Sequence, residues 1–269
     1  MKKKVVSNIV ILGLVSLFVD MSTEMVYPLV PLFLTATLGA SPAIVGIIEG
    51  IAESIASLLK VFSGYIGDVY HNKKRLAIAG YSASVFYKLV LLLAASWPGV
   101  LVARIIDRTG KGLRTAPRDA LVAQSSDQKK LGGSYGLHKT LDMAGSSLGV
   151  ILAYLFVATG VGFHRAFTVS IIPALIGIGI LFAVREDKAG RAAGEKLRLK
   201  GLKLDKQLTR YLAVLFLFCL GNSSNAFLLL KSQALGFTSA QVILLYLAFN
   251  VSASALAIPA GKLSDRVGR

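Results

Sequence analysis

The chain has 269 residues, of which 54% are hydrophobic and only 16% charged, and its mean hydropathy is +0.66. A soluble domain carries about 25% charged residues, so the composition excludes one. The apolar residues run in membrane-length blocks, which makes the formal charge of +16 a topology signal and not the mark of a nucleic-acid partner. A lone cysteine, Cys219, excludes an internal disulfide framework and a cysteine metal cluster.

Crossing about 30 Å of hydrocarbon takes roughly 20 mostly apolar residues. Eight spans meet that need: Ser7–Leu38, Ala43–Gly67, Leu76–Ser96, Gly99–Ala123, Tyr135–Ala158, Phe163–Val184, Arg210–Leu230 and Ala240–Ala260. Pro28 and Pro31 predict a kink in the long first span, or an extension beyond the bilayer. No small-residue cleavage site follows Val19, so the first span reads as an uncleaved helix. The N-terminus and alternate connections hold 20 of the 30 Lys and Arg residues, which places both ends of this chain in the cytoplasm of a bacterial inner-membrane protein.

Sliding the chain against itself by 197 positions aligns Leu38, Gly39, Ala43 and Val45 with Leu235, Gly236, Ala240 and Val242. It also aligns Ser57, Leu59, Gly64 and Asp68 with Ser254, Leu256, Gly261 and Asp265. The repeat unit is then six helices. Residues 1–184 form an N-terminal six-helix bundle, 185–209 a basic cytoplasmic linker, and 210–269 the first two helices and loop of a second bundle. The expected whole is an all-α membrane protein with eight of twelve helices present, the chain stopping after the eighth. Parallel repeats with a substrate site between them are a transporter architecture.

The stretch Gly64-Tyr-Ile-Gly-Asp68-Val-Tyr-His-Asn-Lys73-Lys74 resembles the loop between helices 2 and 3 of the major facilitator superfamily. A second copy runs Gly261-Lys-Leu-Ser-Asp265-Arg266-Val-Gly268-Arg269. The first copy departs at Val69 and His71. Asp20–Pro31, Glu49–Ser54 and Arg104–Leu121 resemble a little-characterised branch of bacterial permeases. The resemblance implies a latch, in which Asp68 and Asp265 accept hydrogen bonds from a neighbouring helix N-terminus while the bundles touch on the cytoplasmic side. An interfacial Asp offset by Lys73 and Lys74 is the plainer reading. Arg104 fits the helix-4 arginine that the superfamily associates with proton coupling, with Asp107 where a Gln usually follows. Gly145-Ser-Ser-Leu-Gly149 resembles the antiporter signature, with Val150 in place of its Pro; small residues at this spacing also serve close helix packing.

A lipid-facing charge at the bilayer centre costs about 2.5–3.5 kcal/mol, so the intramembrane charges must face protein or a wet cavity. Asp20 and Glu24, and Glu49 and Glu53, are spaced i, i+4 on single helix faces. In the fourth span Arg104, Asp107, Arg108, Lys111, Arg114 and Arg118 fall within an arc of about 120°. Counting helical rise puts Asp20, Glu53 and Arg108 near mid-membrane and Glu24, Glu49 and Arg104 in a layer closer to the outside. Asp20, Glu24, Glu49, Glu53, Arg104, Asp107 and Arg108 are the candidate substrate or proton site. Lys111, Arg114, Arg118, Asp142, Asn222 and Asn225 are candidate cavity-lining residues. His138 and Asp142, spaced i, i+4, read as a packed polar pair, since no third ligand marks a metal site.

No nucleotide-binding glycine loop, zinc-peptidase signature or serine elbow is present, so no enzyme activity and no cofactor is expected. The leading expectation is proton-coupled export of a small organic compound by a monomeric permease. Uptake or exchange of an organic anion on the helix-4 stripe is the alternative within transport. A non-transporting membrane receptor, or an inactive truncated product, is the alternative from another class.

Overall fold

A computed structural model describes residues 2–70, 73–126, 131–186 and 205–267. Among these residues all regular structure is helical: α1 (Lys2–Glu24), α2 (Leu29–Ala36), α3 (Pro42–Tyr70), α4 (Lys73–Leu92), α5 (Trp97–Gln124), α6 (Leu131–Ala158), α7 (Phe163–Leu181), α8 (Lys206–Gly221), α9 (Asn225–Ala234) and α10 (Ser239–Val267). They form eight membrane crossings, because α1–α2 and α8–α9 are each one crossing broken in the middle. Among the described residues, five stretches are long and apolar enough to cross a membrane on composition alone: Asn8–Ala36, Lys73–Leu92, Gly132–Ala158, Phe163–Leu181 and Lys206–Ala234. Helices α3 and α5 match them in length but carry the charges that build the site described below.

Both breaks have local causes. Pro28 has no N–H to give to the carbonyl of Glu24, so the α1 ladder ends there and a turn through Val26 starts α2. The seventh crossing was expected to run unbroken through Arg210–Leu230. It breaks at residues 222–224, a run of Asn-Ser-Ser whose side chains compete for backbone hydrogen bonds, and Ser224 Oγ accepts from Ala226 N–H at 3.3 Å.

The 197-residue repeat is visible in these boundaries. Helices α3 and α10 both have 29 residues, and each end of α10 lies 197 positions after that of α3. The ends of α1 and α8, Glu24 and Gly221, keep the same offset. So do Gly39 and Gly236, both at positive φ (63° and 92°) in the turn before the next crossing.

In the first half, α1 packs on α6 and α7, while α5 packs on α3 and α4. Small residues set these distances. A Cβ on Gly80 would stand 2.6 Å from the Gly110 carbonyl, and Gly145 and Gly149 press against the backbone of α1 at Leu17 and Met21. The Gly145–Gly149 segment thus serves close packing within this half. The two halves share one apolar core at the membrane face remote from the N-terminus. There Ala226, Leu229, Val242 and Ile243 join Met25, Leu29, Val45 and Ile48. Toward the other face every residue of α8 is exposed.

Candidate functional site

Helix α5 places Arg104, Asp107 and Arg108 against the α3 carboxylates. Glu49 Oε1 accepts from Arg104 Nε at 2.9 Å and from Nη2 at 2.6 Å, and Arg104 Nη1 reaches Asp107 Oδ2 at 3.2 Å. Arg104 is 2% exposed, so this is a fully desolvated ion pair with its donors engaged. Arg108, one turn further along, is differently placed. Its contacts are long: Nε to Glu53 at 3.5 Å, Nε to Asp107 at 3.9 Å and Nη2 to Glu49 at 4.0 Å. Its buried Nε has no hydrogen-bond partner.

Glu53 is 54% exposed, in contrast to the buried Glu49. Lys111, half-buried on the same face of α5, makes no hydrogen bond or ion pair among the described residues. The ring of Tyr27 lies over both arginines, 5.4 Å from Arg104 Cζ and 5.7 Å from Arg108 Cζ. Tyr246 of α10 stands 5.8 Å from Tyr27 and 6.4 Å from Phe249, and its hydroxyl donates to Glu24 Oε2 at 3.2 Å.

Asp20 does not join Glu53 and Arg108 in one layer. It faces Asp142 of α6, with Arg114 and Arg118 nearby, and its buried Oδ2 meets no donor. Helical rise along one helix says nothing of the stagger between helices, and α1 sits with this carboxylate against α6. Asp142 also meets Lys139 at 2.5 Å and Arg118 at 3.9 Å. His138 turns away from Asp142 to a buried contact with Ser16 Oγ at 2.9 Å.

Other predicted residues divide by neighbour. Arg114 belongs to the α4–α5 contact and not to the open space: Nη1 donates to Ser84 Oγ at 2.6 Å and Cζ lies 4.9 Å from the Tyr81 ring. Arg118 pairs with Asp119 at 3.0 Å. Asn222 is exposed at the end of α8, and Asn225, half-buried, opens α9.

Of the proposed latch, the side chains of Asp68, Gly261, Asp265 and Arg266 lie outside the described residues. A Cβ on Gly64 would stand 3.5 Å from Ala116 Cβ at the α3–α5 contact. Lys73 and Lys74 begin α4, and their N–H groups donate to Glu186 at 3.0 and 3.3 Å. Lys74 Nζ donates to the carbonyls of Phe182 and Val184 at 2.8 and 2.7 Å. A carboxylate at one helix start and an ammonium at another helix end thus fasten α4 to α7 inside the first half.

Three participants were not singled out from sequence. Tyr27 lies within the Pro28 turn, where no periodicity applies. Tyr246 is the repeat counterpart of Glu49, a signal that the 197-residue offset offered. Lys88, fully buried in α4, donates to the Ser84 carbonyl at 2.8 Å and lies 4.6 Å from the Tyr87 ring.

The sequence profile described as Major Facilitator Superfamily matches residues 12–269. The chain belongs to the major facilitator superfamily. It is therefore a multi-pass membrane protein of a transporter family, not an enzyme. An uncharacterised MFS-type transporter of Methanocaldococcus jannaschii is 32% identical over 97% of this chain and 67% of its own length. A probable 4-methylmuconolactone transporter of Cupriavidus pinatubonensis is 26% identical over 88% of this chain and 58% of its own. The crystal structure of a D-xylose–proton symporter superposes with a TM-score of 0.69 at 16% identity, covering 96% of this chain and 68% of that one. A bacterial homologue of the human drug and peptide transporters gives 0.61 at 15% identity, and this chain spans about half its length (53%). At such identities the two structures share the fold of this chain.

Proposed function

We propose that the protein is a proton-coupled secondary transporter of the bacterial inner membrane, moving a small organic compound by alternating access. The carrying observation is the Asp20–Asp142 pair. The two carboxyl groups are neighbours within the membrane-spanning part of α1 and α6, and the buried Asp20 Oδ2 has no donor of its own. Two carboxylates bond to each other only through a shared proton, so this pair is a place to load one. The distribution of Lys and Arg supports placing both ends of this chain in the cytoplasm. The proposal is for proton coupling and not for export. The Gly145–Gly149 segment that favoured export is accounted for by its packing on α1.

A second reading is favoured by Arg108 and Lys111: uptake or exchange of an organic anion. The similarity to a probable 4-methylmuconolactone transporter is compatible with a small organic substrate. The test is a flux assay on full-length protein in inside-out vesicles with an acid interior. Internal pH is followed while organic cations, then organic anions, are added. A substrate-triggered pH change that is lost in Asp20→Asn, with folded protein still in the membrane, is the expected result. Normal pH changes in both Asp20→Asn and Glu53→Gln would show the proton assignment to be wrong.

A further inference from the structure

Burying a guanidinium without hydrogen bonds is expensive, and native structures leave few such groups. Arg104 meets that demand through Glu49 and Asp107. Arg108, 6% exposed, does not: among the described residues it makes no hydrogen bond. Its Nε is sealed from solvent without a partner, and the nearest carboxylate, Glu53, stays at 3.5 Å. Three residues further along α5, on the same face, Lys111 is likewise without a hydrogen bond or ion pair. Two under-used cations one helical turn apart are matched to one anionic group with two or more oxygens.

What surrounds them constrains the rest of the ligand. The Tyr27 ring covers the guanidinium at 5.7 Å, and Tyr246 and Phe249 of α10 continue that aromatic surface into the second half. An aromatic wall beside a cation pair suits a flat apolar body carrying a carboxylate. We infer that Arg108 and Lys111 form the head-group subsite for a small organic carboxylate whose flat, unsaturated or aromatic body rests on Tyr27 and Tyr246. This rests on the reading of the cluster as the transport site, and it names the substrate class.

The geometry also gives the coupling. Glu53 and the incoming carboxylate compete for the same guanidinium edge. When the substrate takes it, Glu53, whose side chain is already 54% exposed, loses its cationic neighbour and accepts a proton from the solution on one carboxyl oxygen. One negative charge enters with one proton, so the loaded site keeps its net charge.

The test is calorimetric titration of full-length protein in lipid nanodiscs with benzoate and sorbate, using benzamide and benzylammonium as neutral and cationic controls. Titrations in buffers of different ionisation enthalpy count the protons bound. The expected result is binding of at least one carboxylate probe over both controls, with about one proton taken up. Affinity should fall about ten-fold or more in both Arg108→Gln and Lys111→Gln. Arg108→Lys, which keeps the charge, should lie between them and the native protein. Glu53→Gln should bind the probe at least as tightly with the proton uptake gone. The inference is overturned if neither carboxylate binds the native protein, if both neutralising variants bind it unchanged, or if uptake persists in Glu53→Gln. Because binding is read without flux, loss of proton-driven transport in Asp20→Asn leaves this measurement intact, and the two readings fail separately.

Discussion

Replacing Glu49 with Gln keeps an oxygen to accept from Arg104 but removes the charge from both of its hydrogen bonds, at 2.9 and 2.6 Å. Hydrogen bonds to a charged group contribute roughly 1 kcal/mol more than neutral ones, so the two together lose about 2 kcal/mol. That is below the roughly 3–5 kcal/mol for leaving a buried charge unpaired, because Asp107 stays at 3.2 Å as a second partner. An effect of about 2 kcal/mol is a factor of roughly 30 in the folded-to-unfolded ratio. SDS-induced unfolding of the full-length protein in mixed micelles, followed by circular dichroism, reads it. Glu53→Gln is the internal comparison: its carboxylate is 54% exposed and 3.5 Å from Arg108, and its loss should cost under about 0.5 kcal/mol. Combining Glu49→Gln with Arg104→Met should cost less than the two single changes added, with a coupling of about 2 kcal/mol. Equal effects of Glu49→Gln and Glu53→Gln, or additivity within about 0.5 kcal/mol, would refute the claim that Glu49 chiefly neutralises Arg104.

The remaining predictions concern the frame around that pair. Gly80→Val should destabilise by roughly 1–3 kcal/mol or more, since its Cβ would fall 2.6 Å from the Gly110 carbonyl and 2.7 Å from Arg114 Cβ. Gly132→Ala, with nothing within 4 Å, should be neutral in the same unfolding assay. Lys74→Met removes two bonds to the end of α7, so amide exchange over residues 182–186 should accelerate; unchanged exchange would refute the fastening role. Tyr246→Phe deletes the bond to Glu24 across the halves. A cysteine placed at Thr35, in a Cys219→Ser background, should then react with a polar thiol reagent several-fold faster, and an unchanged rate would show the bond does not hold the seam.

Much of the fold was legible because hydrocarbon thickness acts on composition alone. The sixth crossing was predicted from Phe163 and begins there, and the fourth, predicted over Gly99–Ala123, forms as Trp97–Gln124. The break in the seventh crossing was not, since Leu, Phe and Val on both sides keep the hydropathy high through Asn222–Ser224. In the site, periodicity within α3 and α5 brought out Glu49, Glu53, Arg104, Asp107 and Arg108, because i, i+4 spacing is a property of one helix. Which helix faces which is not. Asp20 therefore appeared to belong with Arg108, whereas packing at Gly145 and Gly149 sets α1 so that Asp20 meets Asp142. Lys88 had no charged residue three or four positions away to mark it, and only its burial against Ser84 and Tyr87 singles it out.

The repeat carries one further consequence. At the 197-residue offset, Glu49 corresponds to Tyr246 and Glu53 to Asn250. Two backbones built to one plan thus hold carboxylates in α3 and neutral hydrogen-bonding groups in α10. The carboxylates face the α5 arginines within their own half, whereas Tyr246 reaches across to Tyr27 and Glu24. The ion pairs of this cluster therefore lie within the first half, and what joins the halves beside it is the Tyr246–Glu24 hydrogen bond and the tilted Tyr27–Tyr246 ring contact, with the Thr35–Gln233 bond and the shared apolar core next to them. Moving the halves apart then separates no buried ion pair of this cluster, whose unpairing would cost several kcal/mol. It exposes instead the aromatic surface beside Arg108. In the proposed alternating-access cycle, such an arrangement would let the two halves move past each other while the charged side chains keep their partners.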